Sequence, residues 1–342
     1  MTECQPMEFM SRLGQNVLRE GIPLNGTFEL TARCNFRCRM CYVRLEAPQI
    51  AQMGPSLSPD QWLELARQAR DLGMLHLTLT GGEIFTYPGF RQLYEQLCKL
   101  GLLITLQTNG YAIDEQVMQW LGKCQPFMIR LTLYGASNET YRRLCGVEDG
   151  FDRVCRAMDL INEAGIPLSA VTTLTQDNVQ DLPAMQRLTG EKRVPLGQTS
   201  LLMPPVRGAV SESRQCSLDL PAAIRSAGKA PRPPRSDRPL LWDCGSYRNG
   251  FFVTWNGKLQ LCAFLDAPVL AAIPFEENWK HLLARLEEYR EPTQCGNCLY
   301  KPYCPRCPGR LAAWLLPDGR VDPAFCAIAQ ANYEACVPFS KG

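Results

Sequence analysis

Cys34, Cys38 and Cys41 stand in the spacing C-x-x-x-C-x-x-C within TARCNFRCRMCYVRL, residues 31–45. Three thiolates are one short of a structural zinc site, and an odd number does not pair into disulfides. Three readings are open: buried thiols, a zinc loop completed by a distant ligand, or a [4Fe–4S] cluster with one iron left to a substrate or cofactor. Arg33, Arg37 and Arg39 lie among the cysteines, and the loop leaves a strand pattern at the end where α/β folds bind ligands. A second dense set, Cys244, Cys262, Cys295, Cys298, Cys304, Cys307 and Cys326, occupies the C-terminal part. Paired C-x-x-C motifs are the grammar of a zinc ribbon. Here five residues separate the two pairs, too few for the ribbon's hairpin, and seven cysteines exceed one zinc ion.

The elements that must position these thiols are legible in the pattern. Short apolar or β-branched runs at 27–31, 75–80, 103–108, 128–133, 167–174 and 197–203 alternate with amphipathic stretches. The first such stretch opens at Ser58 with Pro59 and Gln61, a capping box, and closes at Gly73. Others are expected at 90–100, 114–121, 151–164 and, more weakly, 181–188. Strands alternating with helices imply an α/β fold, a parallel sheet closing into a partial (β/α)6 TIM-like barrel. Its chemistry belongs at the C-terminal strand ends, where the cysteines, Gly81-Gly82-Glu83, Thr108-Asn109 and Thr132 all fall.

We divide the chain into an N-terminal segment (1–26), the barrel (27–210), a Pro-, Arg- and Ser-rich linker or loop (211–239) and a cysteine-rich domain (240–342). In the last, GFFVTWNGKLQLC (250–262) reads as a hairpin turning at Asn256-Gly257 in a type I′ turn. The 342 residues include 36 basic and 34 acidic side chains, a balance that gives no nucleic-acid footprint. No apolar run reaches the ~18 residues that span a membrane, and MTECQPMEFMSRLGQ holds no secretory core. A cytoplasmic chain is therefore expected, and there 17 cysteines point to metal or redox chemistry rather than disulfides. The two histidines, His76 and His281, are read as structural.

CNFRCRMCY, with Tyr42 directly after the third cysteine, resembles the signature of radical S-adenosylmethionine (SAM) enzymes. The resemblance implies that Cys34, Cys38 and Cys41 hold a [4Fe–4S] cluster whose open iron is chelated by the cofactor. An electron then splits the sulfonium to a 5′-deoxyadenosyl radical. Gly81, Gly82 and Glu83 match the family motif that meets the cofactor's amino group, the glycines by close backbone approach and the acid by charge. By position Thr108, Asn109 and Thr132 line the cofactor site, and Arg142 or Arg143, in particular Arg143, meets its carboxylate. LYGASNETYRRLCG followed by GFDRVCRAMDLINEAGI resembles the family's fourth strand and helix.

The tail resembles the SPASM extension of the same family, which carries auxiliary [4Fe–4S] clusters. Carried over by position, Cys244, Cys262 and Cys307 hold the first, and Cys295, Cys298, Cys304 and Cys326 the second. Two departures stand out. Only Pro305 and Arg306 separate the last two cysteines of the dense block, where the family has three residues, and no cysteine lies just before Cys244. The first cluster then has an open iron or is closed by Cys216. Cys4, Cys98, Cys124, Cys145, Cys155, Cys216 and Cys336 are otherwise read as packing thiols.

The resemblance implies an enzyme that abstracts hydrogen from a ribosomally made precursor peptide, giving a thioether, a carbon–carbon link or a dehydrogenation. Ala263 stands beside Cys262 where relatives acting on sulfatases carry an acid, which disfavours that subgroup. A flavodoxin or ferredoxin is the expected electron donor. The 26 residues before the first strand are too few for a winged-helix leader-binding domain, so a separate leader-binding protein or the barrel itself is expected to recognise the peptide. The alternatives are a dehydrogenase or epimerase of a small molecule, and a non-catalytic zinc-binding interaction protein.

Overall fold

The structure is a computed structural model that describes residues 14–227, 240–242, 244–265 and 268–336. Six parallel strands, β1 (Asn25–Glu29), β2 (His76–Thr80), β3 (Leu103–Thr108), β4 (Met128–Thr132), β5 (Leu168–Thr173) and β6 (Leu196–Thr199), lie in chain order across one sheet. Helices Pro59–Asp71, Phe90–Cys98, Glu115–Leu121, Gly150–Glu163 and Leu182–Glu191 link them. This is the expected α/β fold and the sheet of a partial barrel.

Alternation within the strands decides which face is packed. Leu77, Leu79, Ile104, Leu106, Ile129 and Leu131 are buried. The residues between them, Thr78, Thr80, Thr105, Gln107, Arg130 and Thr132, stay half-buried or exposed on the opposite face. The sheet therefore turns a polar surface to the barrel interior. On the apolar side, Phe28 of β1 packs against Trp62, ring centroids 4.8 Å apart, and meets Phe251 at 6.3 Å.

The Pro59–Asp71 helix begins as its sequence dictates. Gln61 N–H donates to Ser58 Oγ at 3.3 Å, and Ser58 N–H donates to Gln61 Oε1 at 2.9 Å. Its buried face is Trp62, Leu65, Ala66 and Ala69. Trp62 is completely buried, so Trp62→Ala is expected to cost about 3–5 kcal/mol in a chemical denaturation experiment.

Four points stand beside the expectations for these regions. The hairpin expected at 250–262 forms and is not a sheet of its own: β7 (Gly250–Val253) pairs parallel with β1, and β8 (Lys258–Gln260) and β9 (Leu270–Ala271) continue it antiparallel. Nor is its turn type I′, which needs positive φ at both central residues. Only Gly257 has it, at 79°; Gly257 N–H donates to Thr254 O at 2.8 Å, closing a longer loop.

The third concerns the linker. Within 211–239 the described part is ordered, with short helices Ser213–Cys216 and Leu220–Ala227; the rest, 228–239, lies outside the described residues. Glu212 ion-pairs with Arg39 at 2.8 Å, and Cys216 is buried. Fourth, Cys98 and Cys124, read as packing thiols, form a disulfide, because the Phe90–Cys98 helix end and the turn after Glu115–Leu121 bring their Cα atoms to 6.5 Å. Among the described residues no helix is long and apolar enough to cross a membrane.

Candidate active site

The cysteine loop is clamped from two sides. Arg37 and Arg39 donate backbone N–H bonds to the carbonyls of Cys145 and Leu144, both at 2.9 Å. From the other side the segment after β6 pairs along the loop: Val206 N–H to Tyr42 O at 3.0 Å, Val210 N–H to Arg44 O at 2.9 Å, Glu212 N–H to Arg39 O at 2.8 Å. The Arg39 guanidinium spans Asp177 and Glu212, at 2.8 Å to each. A loop rich in arginine is thus held by carboxylates.

Inside this clamp lies a cavity of about 400 Å³. It brings together Cys34, Cys38, Cys41, Tyr42, Gly81, Gly82, Thr108, Asn109 and Thr132, which the sequence separates by up to 98 positions, from Cys34 to Thr132. Phe36, Gln107, Tyr134, Leu201, Met203, Phe264 and Arg310 also line it. No spacing signal marks Phe264 or Arg310, since both arrive from the C-terminal part. Phe264 packs on the Tyr42 ring at 4.8 Å.

Two predicted residues are not on the cavity wall. Glu83 is buried but turned aside: its carboxylate accepts from Thr108 Oγ1 at 2.8 Å, Asn109 N–H at 2.7 Å and Phe85 N–H at 3.2 Å. Burial raises its pKa against those hydrogen bonds. It positions Thr108 and Asn109 rather than facing the cavity. Arg143 is not brought there at all; its Nη2 donates to Asp177 O at 2.6 Å, on the loop after β5, and Arg142 pairs with Glu139 and Glu148. Helix charges find local carboxylates before a distant ligand.

The remaining wall suits a compact polar ligand seated against the three thiols. Among the described residues Thr132 Oγ1 is buried without a hydrogen-bond partner, and it lines the cavity, an arrangement that costs free energy unless a ligand satisfies it. A Cβ on Gly81 would lie 2.7 Å from Thr31 O, and one on Gly82 2.3 Å from Arg33 O. Only glycine lets these strands close on the loop. Gly82→Ala is therefore expected to displace the cysteine loop and to lower cofactor cleavage about 10²-fold, measured as release of the nucleoside product.

Burial pushes the Cys34 thiol up to about 12 and the Cys41 thiol to about 11. Cys38 is raised as well, first by a hydrogen bond with Cys145 and then by burial. Cys145 is thus a fourth thiol against the trio, which its place at the end of a helix did not signal. Such thiols are protonated at neutral pH and give up their protons on metal binding.

The tail cysteines gather in two groups. Burial raises Cys244, and Cys262 to about 11, with Cys307 a neighbouring thiol of both. Burial likewise raises Cys295, Cys326 and Cys304, the last to about 12; Cys295 neighbours Cys298 and Cys326, and Cys304 neighbours Cys295 and Cys326. Cys216 joins neither group. It sits beside Arg39, Asp177 and Glu212, carried there by the strap over the cysteine loop. Arg306 of the shortened spacer is buried and pairs with Glu291. Among the described residues no three Cys, His, Asp or Glu side chains converge on one metal ion; a cubane takes its thiolates at separate corners.

Known proteins place this arrangement. Residues 28–189 match the Radical SAM superfamily. The subtilosin biosynthesis protein AlbA of Bacillus subtilis is 21% identical over 84% of this chain and 67% of its own length. The PqqA peptide cyclase of Rhizobium meliloti is 30% identical over 48% of this chain, which spans less than half, 44%, of that relative. The AdoMet-dependent heme synthase of Methanosarcina barkeri is 24% identical over 84% of this chain and 91% of its own. In fold, SuiB of Streptococcus suis bound to its precursor peptide SuiA superposes with a TM-score of 0.63 at 18% identity, over 89% of this chain and 77% of SuiB. The three cysteines and the glycine pair that meet on one cavity lie within residues 28–189, the stretch of just under half the chain that is similar to the Radical SAM superfamily.

Proposed function

We propose that this chain is a radical SAM enzyme of the SPASM type that modifies a ribosomally made precursor peptide. The observation that carries the reading is the single cavity in which Cys34, Cys38 and Cys41 meet the Gly81-Gly82 backbone and the unpartnered Thr132 hydroxyl. Bound there, the cluster and cofactor would supply a primary carbon radical able to take hydrogen from an unactivated C–H bond.

The chain's own residues then bind, orient and shield. Cys34, Cys38 and Cys41 hold the cluster; Gly81 and Gly82 admit the cofactor's amino acid end to the backbone; Thr132 offers its hydroxyl. Glu83 fixes Thr108 and Asn109, and the Tyr42–Phe264 pair closes the side toward the tail. Cys244, Cys262 and Cys307 hold one auxiliary cluster and Cys295, Cys298, Cys304 and Cys326 another, in a C-terminal domain from residue 240 that shares its sheet with the barrel. With Cys216 beside Arg39 and not among Cys244, Cys262 and Cys307, these three thiols would hold the first auxiliary cluster without it. A small ferredoxin or flavodoxin delivers the electron, a separate protein or the barrel itself recognises the leader, and the compartment is the cytoplasm.

The likeness to AlbA and to the PqqA peptide cyclase supports a peptide substrate. The heme synthase match, which spans nearly the whole of that relative, favours a second reading, oxidation of a small molecule. Anaerobic protein given SAM, reductant and either a candidate precursor peptide or a porphyrin decides between them. Loss of hydrogen mass from the peptide is expected; oxidation of the porphyrin with an untouched peptide would select the second reading.

A further inference from the structure

β6 ends the sheet, so among the described residues one of its edges has no neighbouring strand. Its partners on the inner side are fixed by register: Ala170 N–H donates to Pro195 O at 2.9 Å and Leu174 N–H to Thr199 O at 2.7 Å. In a parallel ladder alternate residues bond to the same neighbour. Pro195, Gly197 and Thr199 therefore face β5, and the backbone groups of Leu196, Gln198 and Ser200 face outward. Gly197, Gln198 and Thr199 are exposed. Unpaired edges invite another strand, and proteins commonly cover or blunt them. This one instead opens into a groove.

That groove has a volume of about 530 Å³ and is walled by Gln198, Thr199 and Ser200 on one side and by Leu220, Ile224, Ile328 and Asn332 on the other. The far wall belongs to helices Leu220–Ala227 and Pro323–Cys336. The groove is continuous with the cysteine cavity, because Thr199, Leu201 and Arg310 line both. Arg310 stands at the junction, its Nη1 donating to Pro305 O at 2.7 Å, with no carboxylate ion-paired to it among the described residues.

We propose that the substrate peptide binds as an added strand along the outer edge of β6, with Arg310 receiving its carbonyls or an acidic side chain where it bends into the cysteine cavity. The proposal rests on the peptide reading above and names how that peptide is held. A row of outward N–H and C=O groups recognises main chain regardless of side chains, which a compact small molecule cannot match, while the apolar Leu220, Ile224 and Ile328 take alternate side chains. The groove thus guides a variable peptide to one reacting position.

Proline at 198 deletes only the outward N–H, since edge strands tolerate proline and the Gly197 before it accepts the extended backbone that proline imposes. The probe is a displayed library of random peptides of about twelve residues, long enough at about 3.3 Å per residue to span the groove. It is selected on cluster-loaded enzyme with SAM, and the most enriched peptide is made with a fluorophore. Its Kd is expected to rise about tenfold in Gln198→Pro, the worth of one main-chain hydrogen bond, and to stay within about twofold in Gln198→Thr. Hydrogen exchange in the wild type is expected to slow at Leu196–Ser200 when the peptide binds. An unchanged Kd in a Gln198→Pro protein with wild-type iron content and circular dichroism overturns the edge site and leaves the peptide reading standing. If that variant does not fold, the exchange map decides, and protection elsewhere overturns the proposal. Failure of every peptide to enrich over beads alone rejects the edge site and the peptide reading together.

Discussion

Cys38→Ala is expected to abolish SAM cleavage, with the nucleoside product falling to the level of protein-free controls. Cys38 lines the cavity with Cys34 and Cys41, and a cubane held by three thiolates has no spare corner to lose. About four irons per chain are expected to disappear with the activity. Cys145 gives the experiment a sharper form, because its neighbouring thiol helps to raise the Cys38 thiol. Cys145→Ala alone is expected to keep cleavage within about threefold of wild type, since a packing thiol contributes volume rather than ligation. Should Cys38→Ala retain cleavage that Cys38→Ala/Cys145→Ala loses, Cys145 substitutes as a ligand. Retention in both variants would remove the cysteine loop from the chemistry.

Cys304→Ala is expected to split the reaction, sparing cofactor cleavage within about tenfold while product falls below detection. Cys304 does not line the cysteine cavity; it packs with Cys295 and Cys326 against the small core of Leu311, Val321, Phe325 and Ile328. A second loss of about four irons is expected, from the tail and not from the barrel. Cys304→Ser keeps the side-chain size, so failure of both variants in product formation, with unchanged melting behaviour, points to lost ligation and not to a cavity. Normal product from either would break the assignment of the second auxiliary cluster.

The two variants bear on different parts of the chain that were not equally visible beforehand. The Cys34, Cys38 and Cys41 spacing is local, as are the Ser58–Gln61 capping box and the strand pattern of Leu103–Thr108, and each is found where its residues predict. What went unseen depends on residues far apart. Glu83 turns from the cavity because Thr108 and Asn109 reach it from another strand. Arg143 goes to Asp177 and Cys216 to Arg39, each by a partner more than 30 positions away. Phe264 and Arg310 enter the cavity wall from the tail.

By itself, then, the order of residues determined the thiol spacing, the strand and helix periods and the glycines at Gly81 and Gly82, because backbone sterics and side-chain periodicity act over a few positions. Tertiary structure alone decided that β7 extends the barrel sheet beside β1, that the strap from Val206 to Glu212 closes over the cysteine loop, and that the outer edge of β6 opens into the same cavity. Those outcomes follow from which distant surfaces bury each other and which backbone groups find partners, and neither is written in any short stretch of the chain.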